Sequence, residues 1–222
     1  MNNKIWVYKE TDNSIVGNLI DRYGLSRLCA SVLQNRMEVV GGNADNLFKR
    51  VLHNLHNPFL LNDMDKAVTR IELAVMRGEK ITVFGDYDAD GVTSTSILYM
   101  FLRENGADVD YYIPNRFSDG YGMNRDAIDL VSENGTKLII TVDNGIAAAD
   151  EIRYASGLGI DVVVTDHHEC PESLPECCAV INPKRSDSTY PCPNLAGAGV
   201  AFKLVMALNK GSLESIIKKY IL

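Results

Sequence analysis

The sequence lacks the features that would set it apart from ordinary globular chains. No apolar run approaches the ~20 residues that a membrane-spanning helix needs, and the opening MNNKIWVYKETDN lacks the basic-then-apolar form of a secretory signal. There is no CxxC pair among Cys29, Cys170, Cys177, Cys178 and Cys192. Five is also an odd number, which excludes a fully paired disulfide framework and fits reduced thiols. A zinc cluster drawn from the last four has no usual knuckle spacing behind it. Internal repeats and low-complexity tracts are missing too. Nor is there an excess of positive charge: 29 acidic residues against 22 basic ones give a net charge of −7. A polyanionic partner would therefore have to be met through a local basic patch or bound cations. These absences lead us to expect a cytoplasmic protein without a membrane segment.

The 222 residues, 46% of them hydrophobic, are enough for one large domain or two small ones with a proper core. Residues 14–37, SIVGNLIDRYGLSRLCASVLQNRM, carry apolar positions at helical spacing until GGN at 41–43 breaks the pattern. In NDMDKAVTRIELAVMRG, Asn62 or Asp63 is placed to cap a helix with an inner stripe of Met64, Ala67, Val68, Ile71, Ala74 and Val75, ending at Gly78. We expect a helical lead-in over residues 1–78 and a second domain over 79–222.

From Lys80 onward short β-branched runs, ITVF, VDYYI, KLIITV and IDVVVT, alternate with helix candidates near 92–105, 124–134 and 147–157. That alternation predicts an α/β fold, a parallel sheet flanked by helices. In such sheets ligands gather outside the carboxyl ends of the strands, and Asp86, Asp143 and Asp166 each follow a predicted strand. Further on, NPKRSDSTYPCPNLAGAGV reads as a loop and AFKLVMALNKG, residues 201–211, as a helix.

FGDYDADGVTS gathers Asp86, Asp88 and Asp90 in front of Gly91, the first half of a calcium loop. The twelfth position, which should be a bidentate glutamate, is Ile97, and the preceding residues read as a strand rather than a helix. A helix-capping turn would explain one aspartate. Three held together repel unless they are neutralised, and hard ions such as Mg²⁺ or Mn²⁺ prefer oxygen ligands. TVDNG adds Asp143, and VVVTDHHE adds Asp166, His167 and His168. Carboxylates mixed with imidazoles are the ligand set of a manganese-type two-metal centre.

These residues, in this order, resemble the DHH phosphoesterase superfamily, whose naming motif appears here as Asp166-His167-His168, and within it the single-strand-specific 5′-to-3′ DNA exonucleases. NPFLLNDMDKAVTRI, FGDYDADGVTS, YIPNRFSDGYGMN, TVDNGI, VVVTDHHE and LAGAGVAFKL extend the likeness over most of the chain. The resemblance implies a Rossmann-like DHH domain holding two Mn²⁺ or Mg²⁺ ions, with Asp88, Asp90, Asp143 and His167 as ligands and Asp86 assisting. It sets His168 beside the scissile phosphate, has Asp166 orient a ligand histidine, and makes Arg116 a clamp on phosphate oxygens. Single-stranded DNA would be the substrate, attacked in line at its terminal phosphodiester to release 5′-mononucleotides in DNA repair and recombination, with other repair or replication proteins as partners.

There are departures. Phe84 stands where many members have a histidine, so that a nitrogen ligand is missing or replaced by Asp86. The fourth motif's aspartate has no counterpart after Leu208, where Glu214 is the sole carboxylate in an unmatched setting, and the DHH-associated domain is not seen. The chain is therefore expected to be the N-terminal part of a longer protein, cut just before the fourth motif, its two-metal site incomplete and the chain inactive or weakly active alone. Alternatives are a DHH hydrolase acting on oligoribonucleotides, cyclic dinucleotides or pyrophosphate, and a non-catalytic replication or repair scaffold on the same fold.

Overall fold

The computed structural model describes residues 9–37, 42, 44–45, 55–115 and 122–220. The chain divides into two compact units, Met1–Leu55 and His56–Leu222. In the first, helices α1 (Asn13–Tyr23) and α2 (Arg27–Gln34) bury Val16, Leu19, Ala30 and Leu33 between them. The helical spacing over residues 14–37 is realised as these two helices. Gly24 takes a left-handed φ of 65° and closes α1 onto Ile20 O, and Ser26 caps α2 by accepting from Cys29 N.

The second unit begins with a 3-10 turn at Pro58–Leu60 and helix α3 (Met64–Arg77), which ends at Gly78 with φ 63°. Met64, Ala67, Ile71 and Ala74 of α3 are buried in the same core as the sheet. The lead-in expected over residues 1–78 is thus divided, because the α3 stripe covers a sheet face. There follow β1 (Lys80–Phe84), α4 (Ala89–Glu104), β2 (Val109–Tyr112), α5 (Arg125–Glu133), β3 (Thr136–Val142), α6 (Ala149–Gly157), β4 (Asp161–Thr165), β5 (Ala179–Ile181), α7 (Gly197–Leu208) and α8 (Leu213–Tyr220).

The five strands are parallel in the order β2-β1-β3-β4-β5. Side chains alternate between two apolar faces. Ile81, Val83, Leu138, Ile140, Val142 and Val163 meet α3, α4 and α7 on one; Phe84, Ile139, Val162 and Val164 meet α5 and α6 on the other. Each such side chain contributes about 1.5–3 kcal/mol when fully buried. Since both faces are apolar, a polar contact helps to fix the register of β1 on β3. The buried hydroxyls of Thr82 and Thr136 lie 2.7 Å apart, and a slip would strand both at about 1–3 kcal/mol each.

Strand order reverses between β1 and β3: β2 is added on one side of β1, while β3, β4 and β5 continue on the other. A crevice opens at the carboxyl ends where neighbouring connections leave in opposite directions. Among the described residues, no helix is long and apolar enough to cross a membrane. The five cysteines are free, and among the described residues none belongs to a group able to hold a metal.

Candidate metal centre

Each acidic segment leaves the carboxyl end of a strand. After β1 the chain turns through Gly85-Asp86-Tyr87-Asp88 into α4, which Asp88 caps by accepting from Gly91 N at 2.9 Å. The turn is tight: a Cβ on Gly91 would lie 2.5 Å from Asp86 O, and one on Gly85 2.0 Å from Thr95 Oγ1. Asp90, in the first turn of α4, reaches across to α7. Its Oδ2 accepts from Gly197 N and its Oδ1 from Ala198 N, both at 2.7 Å. The residue in the α7 capping position, Ala196, has no polar side chain to offer. Asp90 therefore caps that helix from a distant part of the chain, its charge suited to the positive helix end.

Asp143 follows β3 with φ 61°, a left-handed conformation that costs roughly 1–3 kcal/mol in a residue with a Cβ and persists only where the surroundings impose it. Asp166 follows β4, is 1% exposed, and has both oxygens engaged. Oδ2 accepts from Ile146 N at 2.9 Å, while Oδ1 accepts from the amides of His167 and His168 at 2.7 and 3.1 Å and lies 2.7 Å from His168 Nδ1. Asp166 thereby fixes the ring of His168. His167 turns instead to the carboxylates, with Nε2 3.0 Å from Asp143 Oδ1 and 3.5 Å from Asp90 Oδ2.

Crowded, buried charge shifts these groups. Burial, reinforced by the charges of Asp90 and Asp88, pushes the Asp143 carboxyl up to about 7. Burial also raises Asp86, with Asp88 adding to it. For His168, burial favours the neutral ring, but the hydrogen bond and charge of Asp166 outweigh it and the pKa is raised.

Asp86 Oδ1 and Asp143 Oδ1 are buried without a hydrogen-bond partner, which is costly for a carboxylate unless a cation satisfies it. His167 Nε2 stands 3.0 Å from this Asp143 oxygen, which sets a ring nitrogen and a carboxylate oxygen side by side as two candidate ligand atoms. Among the described residues, two groups have ligand atoms within 4.8 Å of one another, Asp143–His167–His168 and Asp86–Asp88–Asp143. They share Asp143. Oxygen and imidazole donors without sulfur fit Mn²⁺ or Mg²⁺.

Of the residues singled out from the sequence, Asp86, Asp88, Asp143, His167 and His168 meet in these two groups. Asp90 borders them through His167 while holding α7, and Asp166 stands behind His168. Arg116 lies outside the described residues. Phe84 is buried on the α5–α6 face, 5.0 Å from the Tyr112 ring, and takes no part in either group. Sequence reasoning missed Asn144, 2% exposed, whose Nδ2 donates to Phe84 O at 3.1 Å and Val142 O at 3.0 Å. It also missed Gly197, where a Cβ would lie 2.5 Å from Asp143 Oδ1. The signal for both was present in the DNG and GAG triplets. A cleft of about 360 Å³ opens beside His168 and Asp166, walled by Met123, Ile146, Ala148 and Glu151.

Residues 80–222 match the family model described as the DHH family, N-terminal domain. The chain is 44% identical over 207 residues to the single-stranded-DNA-specific exonuclease RecJ of Bacillus subtilis (strain 168), covering 91% of this chain and 26% of that protein. It is 45% identical over 149 residues to the protein of the same name from Escherichia coli (strain K12), covering 67% and 26%. Among solved structures it is similar to an exonuclease RecJ bound to manganese, with a TM-score of 0.62 and 38% identity over 67% of this chain and 37% of that one. It is also similar to RecJ in complex with Mn²⁺ from Thermus thermophilus, with a TM-score of 0.62 and 29% identity over 89% and 27%. The chain spans about a quarter of the length of the curated relatives it matches.

Proposed function

The chain belongs to the DHH family, and from that premise we propose that it carries the metal centre of an exonuclease that releases 5′-mononucleotides from single-stranded DNA in DNA repair and recombination. Asp143 carries this reading: a buried carboxylate with one oxygen that has no hydrogen-bond partner, common to both ligand groups. The names of the relatives and the manganese in the two similar structures support it.

Asp86, Asp88, Asp143 and His167 would hold Mn²⁺ or Mg²⁺, with Asp90 adding its remaining lone pairs while it keeps α7 docked. A pair of divalent cations supplies charge neutralisation at the phosphate and a nucleophile at neutral pH. Asp166 orients the His168 ring, which would lie beside the phosphate, and the raised pKa favours a ring that donates to a phosphate oxygen. Arg116 would grip a neighbouring phosphate.

Since the chain spans about a quarter of its relatives, we assign it the metal centre and expect weak hydrolysis from it alone. A cytoplasmic location, which free cysteines suit, and partners among other repair proteins belong to the same proposal. Calorimetric titration with MnCl₂ should count two ions per chain. Release of mononucleotides from 5′-labelled single-stranded DNA, set beside duplex DNA and a di-adenylate, identifies the substrate. Fewer than two ions, or faster cleavage of the di-adenylate, would overturn the proposal.

A further inference from the structure

The β1–β3 ladder ends with Phe84 paired to Thr141. Beyond it the two strands part company: Gly85 N donates outward to Tyr112 O on β2, and Asp143 N donates the other way, to Thr165 O on β4. Divergence at this point follows from the topology, since each strand continues its pairing with the neighbour on its far side. It also leaves Asp86 and Asp143, two residues past Phe84 and one past Val142, on strand ends that no backbone hydrogen bond joins.

The Asn144 carboxamide spans that gap. Both hydrogens of Nδ2 are used, one on Phe84 O and one on Val142 O. The amide cannot be turned over, because its oxygen would then face two carbonyls. The backbone of Asn144 is itself pinned, with its carbonyl accepting from Thr141 Oγ1 at 2.8 Å. Gly145 follows at φ 104°, where a Cβ would lie 2.5 Å from that same hydroxyl oxygen.

We propose that Asn144 is a positioning residue that clamps the diverging ends of β1 and β3, and so sets the spacing between Asp86 and Asp143 on which a second metal ion depends. The inference rests on the two-ion reading of the site. Asp143 and His167 do not involve β1 and their ion should survive loss of the clamp, whereas Asp86–Asp88–Asp143 straddles the gap.

The test compares the metal-stripped chain with Asn144→Ala, first by circular dichroism to establish that both fold, then by calorimetric Mn²⁺ titration and electron paramagnetic resonance. The expected result is two ions in the parent chain with an exchange-coupled signal. The variant should keep the first ion at near-parent affinity, bind the second at least tenfold more weakly, and lose the coupling. Parent-like affinity for the second ion together with unchanged coupling would overturn the inference alone. A parent chain that never takes a second ion would overturn the two-ion reading and this inference with it. Should Asn144→Ala not fold, Asn144→Ser, whose hydroxyl reaches one carbonyl only, is judged by the same outcomes.

Discussion

Replacing Asp143 by asparagine should stabilise the metal-free chain at pH 8 while destroying its capacity for a pair of ions. The carboxyl is raised from 3.8 to about 7, chiefly by burial, and each pKa unit corresponds to about 1.4 kcal/mol. Above pH 7 the ionised side chain therefore opposes folding by up to about 4 kcal/mol. The sign is opposite to ordinary acid denaturation. Between pH 3.8 and about 7 the folded chain keeps a proton on Asp143 that the unfolded chain releases, so stability falls as pH rises through that window and levels off above it. Roughly 2–3 kcal/mol of the change falls between pH 5 and 8. His168, also raised, adds stability that is complete below its ordinary 6.5 and is lost as pH rises through its folded value. Asp86 is shifted upward as well. The variant should therefore lose the largest part of the slope and keep a remainder. Urea denaturation in EDTA at pH 5, 6, 7 and 8 measures both proteins. A parent stability that stays flat or rises with pH, or an equal slope in Asp143→Asn, would refute the electrostatic account.

Two further substitutions probe the frame around the site. Gly197→Ala would place a methyl 2.5 Å from Asp143 Oδ1 and 2.7 Å from its Cβ and Cγ. Such overpacking costs about 1–3 kcal/mol and should weaken Mn²⁺ binding at least tenfold; calorimetry with parent-like affinity would show that α7 can withdraw from the carboxylate. Arg185→Ala would leave Asp63 without the 2.7 Å partner that ties it to the segment after β5. With side chains 10% and 17% exposed, the loss should be about 2–4 kcal/mol in urea denaturation at pH 7. Burial works against ionisation of Asp63, but Lys66 and Arg185 outweigh it and its pKa is lowered. The contribution is thus present above the ordinary 3.8 and disappears as pH falls through the folded value. A change under about 0.5 kcal/mol at pH 7 would reduce the pair to a surface contact.

The parallel sheet was legible because β1, β3 and β4 are buried on both faces and read as β-branched runs, and strand ends are where polar residues become conspicuous. The short β5 was hidden: Ala179–Ile181 is too brief to show a period between Cys178 and Asn182. Residues 14–37 were legible as helical, but two helices folded on each other satisfy the same apolar stripe as one, and only Gly24 and Ser26 mark the break. Helix α7 begins at Gly197 rather than near Ala201, since two glycines make a poor helix start until a carboxylate from α4 caps them. That contact spans 107 positions of sequence. Local pattern cannot display it, nor can it say that Asn144 reaches a neighbouring strand.

The same contact bears on the order in which the protein is put together. Clustered acids ordinarily force a choice between staying unfolded and waiting for metal. Here the amides of Gly197 and Ala198 give Asp90 a counter-charge made of backbone, equivalent to about half a unit of positive charge at the helix end. That counter-charge arrives with the chain and does not vary with the cell's supply of metal. Folding and metal loading can then proceed as separate events, with α7 docked before the first ion is bound.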